Sequence, residues 1–426
     1  MEAVIAITVF IICYMFLLLE KINRALVALC GGALLILFGI FTVDEALTQY
    51  VDWSTIVLLF SMMVLITITQ RTGVFEFLAL WMIKRVGAKP KALFVWIAVL
   101  TAVGSALLDN VTTVLLFVPI SLHMIRELAL PAFPYLVMVV IASNIGGTAT
   151  MIGDPPNIMI GQAVDHLTFM SFINHLAPVV IVIFVVITAF LYGLFRRSLN
   201  QSTQMSNRSI ATIEPISVLK KTPLLYQSVT ILILTIVAFM FHGVLHVELT
   251  TIALVSALLL LLLSEKDDMC DVVFSKIEWT TLFFFIGLFV LVGGLEQTGI
   301  IDHLAVMFIG LTEGESFASS FAILWSAGLL SGFLDNIPYV ASMIQVLLEL
   351  DEFGIQATDP MWWSLALGAC LGGNSTLLGA SANVVVAGIA STNGVKIPFI
   401  RYMLYGFTVV LISLVIASGY LIIRYF

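Results

Sequence analysis

A segment rich in glycine, threonine and asparagine occurs twice in this chain. Residues 143–157 read SNIGGTATMIGDPPN, and 226 positions later residues 369–383 read ACLGGNSTLLGASAN. Matches at one constant offset, without a gap, over more than a hundred residues rarely arise by chance. The sequence therefore predicts that the chain is built from two copies of one unit. The same offset pairs Trp53 with Trp279, Thr55 with Thr281, Thr72-Gly73 with Thr298-Gly299, Ser105 with Ser331, and Asp109-Asn110 with Asp335-Asn336.

The chain is far more apolar than a soluble domain. Of its 426 residues, 61% are hydrophobic and only 10% are charged, whereas a soluble domain carries about 25% charged residues. This composition predicts a polytopic membrane protein with the lipid bilayer as its partner. The net charge of −8 comes without a basic patch beyond short loops, so nucleic acid is not expected as a partner.

Neither the start of the chain nor its cysteines predict processing or a metal cofactor. Residues 1–3 lack the positive region of a cleaved signal peptide, so we interpret residues 3–19 as a retained first span. The four cysteines stand singly, without the spacing of disulfide pairs or metal ligands. We therefore expect no cofactor, apart from Na⁺ bound at the site described below.

Apolar runs of about 20 residues, the length that crosses a bilayer core, recur in each half. Each half also has two longer apolar stretches that polar residues interrupt. Stretches 92–125 and 317–350 are broken at an Asp-Asn pair, and stretches 135–163 and 361–388 at the glycine-rich segment. The uninterrupted spans are 3–20, 25–41, 54–70 and 175–195, then 227–243, 249–264, 279–295 and 402–424.

The lysines and arginines predict the orientation of these spans. If the N-terminus is outside and stretches 92–125 and 317–350 are re-entrant hairpins, every Lys and Arg except Arg424 falls on the cytoplasmic side. This arrangement obeys the positive-inside rule. It predicts a protein of the cell (cytoplasmic or inner) membrane with both termini on the outer side. The loops without Lys or Arg lie around 42–52, 162–174, 242–248, 296–316 and 351–360.

The crossings predict an all-α polytopic membrane protein made of two inverted repeats. Each repeat has five transmembrane helices, one of them broken, plus one re-entrant hairpin. Because five is odd, the second copy must be upside down relative to the first. Residues 1–195 form the first repeat, residues 196–226 a polar cytoplasmic linker, and residues 227–426 the second repeat.

Four breaks at matching positions predict one central cavity that water reaches, because a broken helix is tolerated in lipid only where protein or water surrounds it. Half-helix N-termini expose N–H groups and unwound segments expose carbonyl oxygens, which suits small ions, including Na⁺. The candidate binding residues are Asp109, Asn110, Thr112, Thr113, Asn144, Gly146, Gly147, Thr148, Thr150, Asp154, Asn157, Asp335, Asn336, Gly372, Gly373, Asn374, Ser375, Thr376, Ser381 and Asn383.

Asp109 and Asp335, at the two hairpin tips, are the candidate coupling groups. A carboxylate deep in a membrane is costly and usually functional, and it can take up a proton or ligate Na⁺. The alternative is that each aspartate caps the helix that follows it. The tips are not chemically equal, because Pro338 and Tyr339 stand where the first tip has two threonines.

Two features of the breaks have more than one interpretation. Asp154 has Ala380 at its repeat position, so it is either a helix cap or an asymmetric coupling group. The glycine pairs at 146–147 and 372–373 either let the backbone approach a ligand or pack helices closely. No Lys or Arg lies inside a predicted span, so a multiply charged anion would depend on helix ends and bound cations. The histidines fall near the interfaces and are expected to be structural.

The segments around the first tip and the first break resemble the ion transporter superfamily. Residues 108–117 read LDNVTTVLLF and residues 144–157 read NIGGTATMIGDPPN, and the resemblance spans nearly the whole chain. It is strongest to the branch that holds the arsenite pumps, the NhaD-type Na⁺/H⁺ antiporters and the melanosomal P protein. The resemblance implies inverted repeats with hairpins, a scaffold and a transport domain, elevator-type movement and often a homodimer.

The hairpin tips depart from the carboxylate carriers of this superfamily. Its Na⁺-coupled di- and tricarboxylate transporters typically have Ser-Asn-Thr tips, whereas this chain has acids at Asp109 and Asp335. The departure removes hydroxyls that would hold a carboxylate and favours cation or proton exchange. Arsenite prefers clustered thiolates, and Cys370 alone does not supply them, so this route requires arsenous acid held by hydroxyls and amides.

We therefore expect a transporter and not an enzyme. The leading hypothesis is a secondary active transporter of a small inorganic ion or metalloid, Na⁺ or an arsenite-like solute, by proton antiport through Asp109 and Asp335. The alternatives are a Na⁺-coupled di- or tricarboxylate (citrate-like) symporter and an ion channel. An intramembrane aspartyl protease requires Gly-x-Gly-Asp, but residues 151–154 read MIGD, and no zinc or serine-nucleophile signature occurs.

Overall fold

The secondary structure of the part that the structure, a computed structural model, describes is helical, and no strand occurs there. Eight of its helices are long and apolar enough to cross a membrane, judged by length and composition. The predicted all-α, multi-pass architecture is confirmed. The described residues are 1–19, 21–87, 89–200, 214–264, 269–355 and 358–426.

The longer helices of the first half follow the predicted spans with one addition, and each interrupted stretch becomes two helices. They are α1 (Glu2–Leu19), α2 (Arg24–Leu37), α3 (Trp53–Gln70), α4 (Val74–Val86), α5 (Pro90–Leu107), α6 (Asn110–Glu127), α7 (Ala132–Gly147), α8 (Pro155–Ala163) and α9 (Phe169–Leu194).

The second half repeats this order. Its longer helices are α10 (Pro223–Leu245), α11 (Leu249–Leu263), α12 (Trp279–Gln297), α13 (Ile300–Thr312), α14 (Ser316–Leu334), α15 (Asn336–Glu349), α16 (Asp359–Gly372), α17 (Ser381–Thr392) and α18 (Phe399–Tyr425).

Equivalent helices begin at equivalent residues in the two halves. Helices α3 and α12 begin at Trp53 and Trp279, and α6 and α15 begin at Asn110 and Asn336. The starts are encoded locally, since an Asp precedes α3, α6 and α15 as an N-cap, and proline stands at the start of α5, α8 and α10. The inversion of the second copy, and the repeat boundaries, stay predictions.

One predicted loop is wrong. Residues 296–316 contain helix α13, and its repeat partner α4 lies between α3 and α5. Each has 13 residues, a length of about 20 Å, too short to cross a bilayer core of about 30 Å. The sequence pattern did not indicate these helices, because their apolar segments are shorter than the roughly 20 residues expected of a full span. The loop at 42–52 is also partly helical, with short turns at Val43–Glu45 and Ala46–Tyr50.

The linker between the halves is described only at its ends. Arg196–Leu199 continues from α9 as a short helix, and the backbone N–H of Lys220 donates to the Thr72 carbonyl at 3.0 Å. This bond fixes the end of the linker beside the α3–α4 corner. The polar run predicted for the linker at 200–204 lies outside the described residues after Asn200.

Fourteen of the eighteen longer helices named above form two packed sets. In the first set, α2 packs on α12 and α3 packs on α11, so each contact joins one half to the other. Glycines permit the α2–α12 contact, because a Cβ on Gly287 would lie 2.5 Å from the Leu29 nitrogen and one on Gly32 2.9 Å from the Val290 side chain. We call helices α1–α3 and α10–α12 the outer set.

The second set contains the predicted hairpins and broken helices. Helix α5 packs on α6 and α7, and α14 packs on α15 and α16. Across the halves, α6 packs on α17 and α15 packs on α8. We call helices α5–α8 and α14–α17 the inner set, and it brings both hairpin tips and both breaks together.

Candidate functional site

The tip of the first hairpin is a helix cap. Asp109 lies between α5 and α6 with a φ of 126°, a value that L residues rarely adopt. Its carboxylate accepts hydrogen bonds from the backbone N–H and the hydroxyl of Thr112, at 2.7 and 2.6 Å. Both carboxylate oxygens are therefore engaged at the N-terminus of α6, as the capping interpretation predicts.

The tip of the second hairpin also has an aspartate with positive φ, but its hydrogen bonds differ. Asp335 has a φ of 66°, and its nearest capping donor is the Ile337 N–H at 3.5 Å, a weak bond. Pro338 stands at the position of Thr112, and proline has neither a backbone N–H nor a hydroxyl to donate. The carboxylate instead lies 3.8 Å from the guanidinium of Arg24.

Arg24, the first residue of α2, is a site residue that the sequence did not predict. Its guanidinium donates to the hydroxyls of Ser381 and Thr281, the latter at 3.0 Å, and lies 5.2 Å from the centre of the Phe284 ring. The cytoplasmic position of Arg24, just before the second span, stays a prediction. Its long side chain extends from the helix start to Asp335, so a cationic side chain reaches the site although no predicted binding residue is a Lys or Arg.

Asp154 lies between the two tips. It is 1% exposed, and the Asn336 amide donates to its carboxylate at 3.4 Å. The side chains of Asn110 and Cys370 also interact with this carboxylate. None of the ion pairs in the described part of the chain includes Asp154. A buried acid is thus contacted from both hairpins by neutral groups.

One asparagine holds the first break. The Asn157 amide donates to the carbonyls of Thr150, Thr148 and Gly147, at 2.9, 3.3 and 3.4 Å. Those carbonyls belong to the end of α7 and the turn after it, and one side chain supplies their missing donors. The Thr148 hydroxyl donates within its own helix, so it stabilises the helix end.

The second break repeats these bonds at the same offset. The Asn383 amide donates to the carbonyls of Gly373 and Thr376, at 2.7 and 2.9 Å. The Thr376 hydroxyl donates to the Gly332 carbonyl at 2.7 Å, as the Thr150 hydroxyl donates to the Ala106 carbonyl at 2.6 Å. The repeat in the sequence is therefore a repeat of hydrogen bonds that tie each broken helix to its neighbouring hairpin.

The two breaks touch through three asparagines. The Asn144 amide donates to the side-chain oxygens of Asn383 and Asn374, at 2.9 and 3.0 Å. All three side chains are fully buried. This contact joins residues more than 200 positions apart and marks the centre of the inner set.

The glycines at the breaks are close-packing residues. Those at 146–147 and 372–373 do not have a positive φ. A Cβ on Gly146 would lie 2.2 Å from the Ala102 carbonyl oxygen, and one on Gly372 would lie 2.6 Å from that of Gly328. Gly147 and Gly373 similarly face the carbonyl oxygens of Gly153 and Gly379, at 2.6 and 3.0 Å from a built Cβ.

Several buried polar atoms around the breaks have no hydrogen-bond partner among the described residues. A buried polar group without a partner calls for an explanation, such as a bound ion or water. Four of the five atoms are oxygens, the ligand type that a hard cation such as Na⁺ prefers, and the fifth is an amide nitrogen. The atoms are Asn110 Oδ1, Thr113 Oγ1, Asn144 Oδ1, Asn374 Nδ2 and Ser375 Oγ.

Two cavities carry acids at repeat-equivalent positions. The larger, about 310 Å³, is lined by Arg24, Glu278, Asp335 and Ser381 among others. A second, about 210 Å³, is lined by Asp52, Tyr50, Gln162 and Glu296 among others. Asp52 and Glu278 are separated by the repeat offset and precede α3 and α12. Neither acid is among the predicted binding residues, although the repeat offset aligns them.

The predicted site residues fall into two clusters. The first cluster contains Asp154, Asn110 and Asn336, and the second contains Asn144, Asn374 and Asn383. Asp335 is close enough to Asp154 for their charges to repel, and Asp109 is close enough to Glu278 for the same effect. Cys370, which the sequence analysis set aside as a lone thiol, lies against Asn157 at 3.4 Å and beside Asp154.

Known proteins resemble this chain over its whole length. A profile of the family described as citrate transporter (CitMHS) matches residues 14–368. An uncharacterized transporter of Mycobacterium tuberculosis is 37% identical over 429 residues, covering 100% of this chain and 99% of that protein. A 46 kDa membrane protein of Mycobacterium leprae is 39% identical over 433 residues, covering 99% of each chain.

A mammalian protein shows the same likeness over part of its length. The P protein of Mus musculus is 31% identical over 494 residues, which cover 97% of this chain and 59% of the P protein. This match confirms the resemblance that residues 108–117 and 144–157 carry to the branch holding the P protein. It also confirms that the resemblance extends beyond those two segments.

Proposed function

This chain belongs to the citrate transporter family, whose profile covers residues 14–368, and we propose that it is a proton-coupled secondary active transporter of a small inorganic solute. The solute is Na⁺ or an arsenite-like species, and it is exchanged for protons. The inner set moves against the outer set in an elevator-type step. The protein acts in a cell membrane, with both termini outside, as a homodimer.

The observation that carries this proposal is the environment of Asp154. A buried carboxylate without a cationic partner is strongly destabilised when charged. Such a carboxylate is stable when it is protonated and when it binds a cation. If it alternates between these two forms during transport, the protein exchanges a proton for a cation. Asn110 and Asn336 supply neutral oxygens and N–H groups on either side, which permit both forms.

The roles of the three acids differ in this proposal. Asp154 and Asp335 carry the exchanged proton or cation, because Asp154 has no ion pair in the described chain and Asp335 has only a weak cap. Asp109 has both oxygens bonded to Thr112, so it shapes the tip. We thus transfer to Asp154 the coupling role first expected of Asp109.

Flux measurements in proteoliposomes test the proposal. We expect wild-type protein to take up Na⁺ or arsenite when a pH gradient is imposed, and Asp154→Asn to lose this uptake by at least about tenfold, because a permanently neutral amide exchanges no proton. Asp165→Asn is the matched control, since Asp165 is exposed. Normal pH-driven uptake by Asp154→Asn would refute the assignment. Uptake that saturates and shows counterflow excludes a channel.

A carboxylate solute is the second candidate, and Arg24 favours it. The family is described as citrate transporters, and the 310 Å³ cavity has a guanidinium on its wall. Arginine binds carboxylates well, although Asp335 and Glu278 line the same cavity and repel them. Citrate uptake driven by a Na⁺ gradient, and lost in Arg24→Gln, would establish this function in place of proton antiport.

A further inference from the structure

The two hairpin tips begin with the same Asp-Asn pair but leave their carboxylates in different situations. Thr112 occupies both oxygens of Asp109. At the second tip, Pro338 removes those donors, and the Asp335 carboxylate is left for Arg24. The repeat position of Arg24 holds Thr250, whose hydroxyl donates to the Ser54 carbonyl. The second tip thus differs from the first in two ways: an arginine is present near its aspartate, and the capping donors are absent. Both differences favour the contact between Arg24 and Asp335.

Arg24 belongs to the outer set and Asp335 to the inner set. Asn23 caps α2 through the N–H groups of Ala25 and Leu26, and α2 is packed closely on α12. The guanidinium is further held on α12 by Thr281. From this fixed position it contacts Asp335 on α15's tip and Ser381 at the start of α17. This side chain is therefore one of the links between the two sets, which also meet where α12 packs on α15 and where α3 packs on α8.

Other charged and titratable groups face this contact. Glu278, the residue before α12, lines the same cavity and accepts from the Thr281 hydroxyl at 3.2 Å. Tyr14 of α1 and Asp154 beside α8 lie close enough to Asp335 to interact with its charge. Arg24 is the single Lys or Arg that lines the 310 Å³ cavity within the described chain.

We propose that Arg24 is an internal counter-ion that competes with a proton or a transported cation for Asp335. When Asp335 is charged and empty, the guanidinium holds the second hairpin and α17 on the outer set. When a proton or cation occupies Asp335, the attraction ends and the inner set is released to move. This inference rests on the proposed function, because it makes release depend on occupancy of the same acid.

The contact is suited to switching because it is weak. The side chains of Arg24 and Asp335 remain 29% and 22% exposed, and their closest approach is 3.8 Å. Partly exposed ion pairs of this kind stabilise a state by up to about fivefold in an equilibrium constant. A proton or a dehydrated cation can therefore replace the guanidinium without a large barrier.

Cysteine labelling tests the contact without requiring a known solute. Val384 lines the 310 Å³ cavity and is 38% exposed, so Val384→Cys reports how often this conformation is populated. The accessible native thiols are removed as Cys30→Ser and Cys270→Ser. The rate at which a membrane-impermeant maleimide labels Val384→Cys is divided by the rate at which it labels Thr392→Cys, an exposed position on the same helix. This ratio cancels the effect of pH on the reagent.

We expect Arg24→Gln to slow the normalised labelling at neutral pH by about fivefold, and Arg24→Lys to stay near wild type. Acidification should slow labelling in wild type and have no further effect in Arg24→Gln. Pro338→Thr restores the capping donors of the first tip and should give an intermediate rate. Arg401→Gln is the matched control, because the Arg401 guanidinium stacks on the Phe133 ring at 4.3 Å and Arg401 is not among the residues that line the 310 Å³ cavity in the described chain.

The outcomes separate the two proposals. If Arg24→Gln labels like wild type at every pH, Arg24 is not a counter-ion of this kind. If the labelling pattern holds while wild-type protein shows no pH-driven uptake of Na⁺ or arsenite, the counter-ion role stands and the proposed function fails. If Arg24→Gln does not fold, Pro338→Thr tests the same contact from the other side, and an unchanged rate there overturns the proposal.

Discussion

The side chain of Asn144 donates a hydrogen bond to the side chain of Asn383 at 2.9 Å, across 239 positions of sequence. Asn144 lies near the end of α7, and Asn383 holds the break between α16 and α17. The end of one broken helix is therefore bonded to the residue that organises the other. The two breaks therefore form one buried polar unit.

We predict that Asn144→Ala destabilises the protein by about 1–3 kcal/mol, because it leaves the oxygens of Asn374 and Asn383 buried without a donor. Thermal unfolding in detergent measures the loss as a lower Tm. The double variant with Asn383→Ala should lose less than the sum of the single variants, since the two share one bond. Additive losses would show that the contact carries no coupling.

The positions of the helices could be predicted because they follow from residues close in sequence. Apolar runs determine the long helices, and the Asp-Asn pairs and prolines determine where α6, α15 and α8 begin. Asp109 and Asp335 could be located at the tips for the same reason. The repeat offset then carried each assignment from one half to the other.

The partners of these residues could not be predicted, because they depend on side-chain reach across distant elements. Arg24 lies one residue before a predicted apolar span, and nothing in its neighbours indicates a contact with Asp335. Nor does any pattern show that Asn144 meets Asn383, or that the Cys370 thiol lies beside Asp154. The 13-residue helices α4 and α13 were missed because a span-length criterion excludes them.

A second prediction concerns the packing of α5 on α7. Gly146→Ala places a methyl group 2.2 Å from the Ala102 carbonyl oxygen, and the backbone must shift to admit it. We expect a loss of about 1–3 kcal/mol, the usual cost of overpacking. Gly193→Ala is the control, because no atom of the described chain lies within 4 Å of its Cβ position, and the helix gains up to about 1 kcal/mol there.

Thermal unfolding of both variants checks this interpretation. A drop in Tm for Gly146→Ala alone would support close packing as the role of the glycine. If Gly146→Ala keeps the wild-type Tm but loses transport, the glycine instead gives a ligand access to the backbone, the alternative that the sequence left open.

A third prediction separates the two inorganic solutes. A thiol is a soft ligand that prefers arsenic species to Na⁺, and the Cys370 thiol lies beside Asp154. Cys370→Ser keeps the size of the side chain and removes the sulfur. If arsenite is the solute, we expect its KM to rise by about tenfold, corresponding to roughly 1.4 kcal/mol. If the solute is Na⁺, the KM should stay within about twofold, since a hydroxyl is a suitable ligand for a hard cation.

A fourth prediction tests whether Asp109 is a cap or a ligand. Thr112→Val removes the hydroxyl that donates to Asp109 at 2.6 Å but keeps the backbone donor at 2.7 Å. As a cap, the tip should lose about 1 kcal/mol of stability, seen as a lower Tm, while KM for the solute stays within about twofold. Asp109→Asn should behave in the same way, because asparagine caps helices as well as aspartate does. A rise in KM without a change in Tm, in either variant, would instead make Asp109 a ligand of the solute and return to it the coupling role now given to Asp154.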